Sequence, residues 1–132
     1  MVVGTGKSGV AAFELLKKKQ AKLIVFEGNK DAKIEEIRNK SNAFADAKII
    51  IGELSVEIKE TLDLVVLSPG VPTDLPWIHE LRDRGILIIG EIELAYQCAK
   101  GDVLAITGTN GKTTTTALLG EIMQHVREDV KV

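Results

Sequence analysis

The segment Ala105-Ile106-Thr107-Gly108-Thr109-Asn110-Gly111-Lys112-Thr113-Thr114 has the residue types that hold a polyphosphate. Gly111-Lys112-Thr113 matches the end of the pattern G-x-x-x-x-G-K-[ST]. In that pattern backbone N–H groups wrap phosphate oxygens, the lysine reaches the β- and γ-phosphates, and the hydroxyl ligates Mg²⁺. The pattern's first glycine would fall at Ile106, and Gly108 comes two positions later, so the loop is a shortened variant, G-x-x-G-K-T. Gly108, Thr109, Asn110, Gly111, Lys112, Thr113 and Thr114 are therefore candidate ATP contacts. Lys112 and Thr113 are the candidate catalytic pair, with Thr113 also the candidate Mg²⁺ ligand. The run Thr113–Thr116 is a poor choice for helix propensity; at a helix start it fits a phosphate and metal site better.

A second loop, Gly4-Thr5-Gly6-Lys7-Ser8-Gly9, reads G-x-G-x-x-G. Gly4 permits the tight turn, Gly6 lets a diphosphate approach the backbone, and Gly9 allows close helix–strand packing. The helix start then offers free N–H groups and a positive dipole end. Lys7 adds charge, and Ser8 adds a hydroxyl, as a helix cap or a phosphate donor. Glu27 ends the next apolar run, roughly 20 residues past the loop, where an acidic residue commonly holds ribose hydroxyls. These features alone suggest NAD. Ser68-Pro69-Gly70-Val71-Pro72 follows another apolar run, Leu64–Leu67, and so falls at the carboxyl edge of a sheet. A rigid loop with one hydroxyl there suits contact with a nucleotide, although a plain strand-to-helix connector has the same composition.

The elements that must position these loops alternate. Val2-Val3, Leu23–Phe26, Ile49–Ile51, Leu64–Leu67, Ile86–Ile89 and Val103–Thr107 read as strands, several of them apolar throughout, as in a parallel sheet covered on both faces. Helical patterns separate them, from Val10 to Lys19, from Leu75-Pro76-Trp77 to a stop at Gly85, and from Thr115 to Val126. The expected fold is α/β: a Rossmann-like doubly wound parallel sheet from the first five strands in the order 3-2-1-4-5. The first strand–helix unit of a second α/β domain then follows, with the boundary near Gly90 giving domains 1–90 and 91–132. The 132 residues, 45% hydrophobic and 27% charged with net charge −2, suit such a chain and give no electrostatic case for nucleic acid. Cys98, the one cysteine, excludes an internal disulfide and is expected to be packed. No apolar run approaches the roughly 20 residues of a membrane span. No leader is visible, and the cytoplasm is the expected location. The short first strand and the trailing last strand–helix pair suggest a chain cut inside its second domain. The segment after Gly101 is then expected to be mobile or to associate with another copy, whereas the full-length protein is expected to be a monomer.

The strand-I-T-G-T-N-G-K-T-T-helix order resembles the ATP loop of the Mur ligases and their folylpolyglutamate synthase relatives. Gly4–Gly9, Ser68-Pro69-Gly70-Val71-Pro72 and Gly90-Glu91-Ile92-Glu93-Leu94 further resemble the family branch that adds D-glutamate to UDP-N-acetylmuramoyl-L-alanine. The order and spacing match over the whole chain. The resemblance implies an ATP- and Mg²⁺-dependent ligase of peptidoglycan precursor synthesis, which activates a carboxylate as an acyl phosphate and lets an amine displace phosphate. It implies that the first domain holds the UDP end of the substrate. Gly4, Gly6, Lys7, Ser8 and Gly9 would face the diphosphate, Glu27, Gly28 and Asn29 the uridine, and Ser68, Pro69 and Gly70 would close over it. Some members have Asp-Thr-Arg where this chain has Glu27-Gly28-Asn29, and Asn29 lacks an arginine's cation and stacking plane. A central-domain glutamate for Mg²⁺, a carbamylated lysine and a D-glutamate-binding domain would lie beyond Val132, so this chain alone is expected to be inactive.

Two other readings stand beside this one. An NAD-binding module of an oxidoreductase or redox sensor rests on Gly4–Gly9 and Glu27, but has no need of Gly111-Lys112-Thr113. A non-catalytic nucleotide-binding module would be complete as it stands.

Overall fold

The computed structural model describes residues 1–132. They divide into two compact units, Met1–Ala99 and Lys100–Val132. The first unit runs β1 (Val2–Val3), α1 (Lys7–Lys18), β2 (Ile24–Glu27), α2 (Ile34–Arg38), a 3₁₀ turn at Asn42–Phe44, β3 (Lys48–Ile51), α3 (Val56–Glu60), β4 (Leu64–Leu67), α4 (Pro76–Asp83), β5 (Leu87–Gly90) and α5 (Glu91–Cys98). The second unit holds α6 (Lys112–Val126).

The strands of the first unit form one five-stranded sheet in the order β3-β2-β1-β4-β5, and every neighbouring pair is parallel. This is the order expected from the alternation of apolar runs and helices. Successive residues of a strand point to opposite faces, and both faces here are apolar. Val2, Val25 and Val66 join Phe13 and Leu16 of α1, Phe44 of the 3₁₀ turn and Leu94 of α5 in one core layer. Val3, Phe26, Val65 and Leu67 join Ile78 and Leu81 of α4 in the other. Edge-on ring pairs pin the helices to each layer, Phe13 on Phe44 at 5.1 Å and Phe26 on Trp77 at 5.5 Å between centroids. α1 buries Gly9, Ala12, Phe13 and Leu16, a stripe at helical spacing, and ends in Lys17 and Lys18 where a cation complements the dipole.

β1 has only two residues yet occupies the middle of the sheet. Its ladder is carried past both ends by the backbone. Val66 N–H donates to Met1 at 2.9 Å, Ser68 N–H to Val3 at 3.1 Å, and Gly4 N–H to Phe26 at 2.9 Å. The α-amino group of Met1 donates to the Leu64 carbonyl at 2.6 Å. Burial pushes this amine down from 8.0 to about 6, partly offset by nearby Asp63.

Three expectations are corrected. Val103–Thr107 is not a strand: the sheet has five strands, and all five lie in the first unit. An apolar, β-branched run becomes a strand only beside a hydrogen-bonding partner, and no other extended segment of Lys100–Val132 pairs with it. α6 begins at Lys112 rather than Thr115, taking the threonines into its first turns. Ser8 does not cap α1; Gly6 is the N-cap, with no side-chain cap bond. Cys98 is half-buried, packed at the margin of the α1–α5 core layer.

Candidate functional site

In a parallel sheet the loops leaving the carboxyl ends of the strands converge on one edge. There the first unit gathers Gly4–Gly9 after β1, Glu27 at the end of β2 with Gly28 and Asn29 in the turn after it, Ser68–Gly70 after β4 and Glu91 after β5. The glycines of the first loop play unequal parts. Gly4 has φ +100°, and a Cβ on it would lie 2.7 Å from Ser68 Oγ. A Cβ on Gly9 would run into the Gly4 carbonyl oxygen. Gly4 and Gly9 therefore allow α1 and the serine turn to close on the end of β1. A Cβ on Gly6 would meet nothing within 4 Å, so that position opens outward, as diphosphate approach requires. α1 starts without a side-chain cap or an acidic first turn, which leaves its leading N–H groups for an anion. Lys7 and Ser8 are exposed beside them.

Glu27 is half-buried and engaged at both oxygens. Oε2 accepts from the Thr5 hydroxyl at 2.9 Å, and Oε1 accepts from the Asn29 backbone N–H at 3.1 Å. Thr5 is 4% exposed, and its hydroxyl also accepts from Lys40 Nζ at 2.7 Å. Ser68 donates from Oγ to Glu91 Oε1 at 2.6 Å, tying the serine turn to the start of α5. Glu27, Gly28, Gly70, Phe26, Leu75 and Trp77 line a cavity of about 320 Å³. Its walls combine an aromatic side chain, glycine backbone and a carboxylate, a mixture suited to a planar base and a sugar. Gly28, Asn29, Pro69 and Gly70 are exposed at its margin or close by.

Three of these residues were not singled out from the sequence. Thr5 occupies a variable position of its motif, and only its burial shows that its hydroxyl must find partners. Lys40 lies 35 residues from Thr5 in the chain, and no local pattern connects them. Glu91 fell within a recognised segment but carried no role.

In the second unit Gly108 and Gly111 both take positive φ, +150° and +77°, and Gly111 is the N-cap of α6. Lys112 folds back over the loop, donating from Nζ to the Gly108 carbonyl at 2.5 Å and the Thr109 carbonyl at 3.4 Å. Gly108–Thr114 are all exposed, and α6 has no side-chain cap. Open N–H groups beside a tethered ammonium fit a phosphate chain. No group of three or more His, Cys, Asp or Glu side chains stands ready for a metal. Thr113, in the first turn of α6 beside Lys112, offers a single hydroxyl, and one hydroxyl holds Mg²⁺ only with phosphates and further groups to complete the shell.

This parallel sheet, with its glycine loop, acidic strand end and serine turn on the carboxyl edge, defines the class of open α/β domains that take ligands at that edge. Within that class, the chain belongs to the Mur ligase MurD-like N-terminal domain family, whose profile matches residues 1–90. Over its whole length it is 52% identical to a UDP-N-acetylmuramoylalanine-D-glutamate ligase of Lachnoclostridium phytofermentans, covering 29% of that protein. It is 47% identical to the protein of the same name from Lachnospira eligens, over 97% of this chain and 28% of the relative. It is 40% identical to that of Clostridioides difficile, over 100% of this chain and 29% of the relative. The chain thus spans less than a third of the length of these curated relatives. A solved pseudomurein peptide ligase type C from Methanothermus fervidus shares the fold, with a TM-score of 0.54 at 22% identity over 99% of this chain and 28% of that one. No helix is long and apolar enough to cross a membrane.

Proposed function

We propose that this chain is the N-terminal portion of an ATP-dependent ligase that joins D-glutamate to UDP-N-acetylmuramoyl-L-alanine in the bacterial cytoplasm. Residues 1–90, on which α5 also packs, form its UDP-substrate domain, and the ATP domain begins beyond that helix. The observation that carries this reading is the end-to-end match to relatives that bear this enzyme's name, at 40–52% identity. The two phosphate loops support it chemically. Gly6, Lys7 and the free N–H groups of α1 receive the diphosphate, and Glu27 with the adjoining cavity receives the uridine. Gly108–Thr114 receive ATP, with Lys112 neutralising charge on the β- and γ-phosphates. Thr113 would help to hold Mg²⁺, which would supply neutralisation of the phosphate charge.

The reaction follows in two balanced steps. An oxygen of the L-alanine carboxylate attacks the γ-phosphorus and ADP leaves. The D-glutamate amine, as the free base, then attacks the acyl carbon; the bond from that carbon to the phosphate oxygen breaks, and the amine's proton leaves with the phosphate as the amide forms. The protein's part is to position the groups and to neutralise charge. The test is phosphate release by the full-length protein given ATP, Mg²⁺, D-glutamate and UDP-N-acetylmuramoyl-L-alanine. Release that requires both co-substrates is expected. Release indifferent to D-glutamate, or hydride transfer with a nicotinamide cofactor in its place, would overturn the reading.

A further inference from the structure

The chain Lys40–Thr5–Glu27 lies outside the motifs, and hydrogen-bond chemistry fixes its direction. An ammonium can only donate. Thr5 Oγ1, 2.7 Å from Lys40 Nζ, must therefore accept from Lys40, and its single proton must go to Glu27 Oε2, 2.9 Å away. The other carboxylate oxygen, Oε1, accepts from the Asn29 N–H. Glu27 is thus held as an acceptor at both oxygens and cannot turn without breaking one of these bonds. Each oxygen keeps lone-pair capacity toward the cavity that Glu27 lines with Gly28, Gly70 and Trp77. Such a carboxylate selects a ligand that presents hydrogen-bond donors on adjacent atoms, which a ribose diol does. The chain also brings a lysine cation to the strand end where Asn29 supplies none.

We propose that Thr5 and Lys40 are positioning residues that hold Glu27 in the acceptor geometry required by the ribose hydroxyls of a uridine nucleotide. This rests on the reading of the first unit as a UDP site, and the experiment separates the two. Calorimetry of the protein with UDP, 2′,3′-dideoxy-UDP and inorganic pyrophosphate measures recognition of the diol apart from that of the diphosphate. The parent protein is expected to prefer UDP over the dideoxy compound by about tenfold, the scale of a lost hydrogen bond to a charged group. Thr5→Val keeps the side chain's shape and removes the hydroxyl. It should bring that ratio close to one while leaving pyrophosphate affinity unchanged, and Thr5→Ser should restore the ratio. Lys40 is exposed, so Lys40→Met tests the chain without disturbing the core and should lower the ratio about threefold. A merely structural role for Thr5 would weaken all three ligands together, and that result overturns the proposal. An unchanged ratio in both Thr5→Val and Lys40→Met also overturns it, and leaves the UDP site standing. Failure of the parent to bind UDP overturns both.

Discussion

The two glycine loops begin with the same local chemistry and reach different states. Gly4–Gly9 and Gly108–Gly111 each lead into a helix that starts on glycine without a side-chain cap. The first is locked by long-range packing: Gly4 lies against Ser68, Gly9 against the Gly4 carbonyl, and the strand before it pairs on both sides. The second is fully exposed, follows a segment with no strand pairing, and is held by Lys112 bonding to its own loop carbonyls. A helix start and its anion-binding N–H groups are local properties. A strand depends on partners, and so does the precision with which a strand delivers a loop.

The largest effect expected separates the loops by function. If the full-length protein is the proposed ligase, Lys112→Ala should lower its rate of ligation by about 10³-fold or more, the scale of removing a key charge from phosphoryl transfer. Binding of the UDP substrate should remain within about twofold of the parent. Phosphate release and calorimetry on the same variant check both halves. Near-normal turnover would remove the second loop from the chemistry.

The next contrast is in stability. Gly9→Ala places a methyl group against backbone that cannot yield, and should destabilise the first unit by about 2–3 kcal/mol. Gly111→Ala has open space around it and bears only the left-handed φ of +77°, a cost of about 1 kcal/mol. Its effect should stay local to α6. Urea unfolding followed by the fluorescence of Trp77, which lies in the first unit, should show a clear midpoint shift for Gly9→Ala and almost none for Gly111→Ala. Equal shifts would erase the distinction between a packed and an open loop.

A pH-dependent effect concerns the middle strand. The Met1 amine falls from 8.0 to about 6 in the folded chain because burial disfavours its charge. Above pH 8 the amine is neutral in both states and this part of the stability is fully present. As pH falls from 8 to 6 the unfolded chain gains a proton that the folded chain resists, so stability declines. Below 6 the loss is complete, at about 3 kcal/mol. A chain acetylated at Met1 should lack this pH dependence. If the acetylated and free chains follow the same stability curve from pH 6 to 8, the amine is not buried against Leu64.

What was legible in the sequence follows the same division. Apolar runs marked the strands, their alternation with helices pointed to the strand order, and Leu64–Leu67 was placed to the residue. The helix opening at Pro76 and closing before Gly85 was legible from backbone chemistry alone. Val103–Thr107 misled because its composition carries β-propensity but contains nothing about a partner. At the site, the glycine and serine loops were visible because their residues are contiguous. Lys40 and Glu91 were not, because the fold brings them to Thr5 and Ser68 across 35 and 23 residues of chain.

The proposed role of the first sheet's carboxyl edge is that of a UDP-substrate site. Its most direct test is a backbone NMR titration of this 132-residue chain with UDP-N-acetylmuramoyl-L-alanine and, separately, with NADH. The UDP compound should bind more tightly, and its shifts should concentrate at Gly4–Gly9, Glu27–Asn29 and Ser68–Gly70 while Gly108–Thr114 stay in place. Tighter binding of NADH, or UDP-substrate shifts centred on Gly108–Thr114, would contradict it.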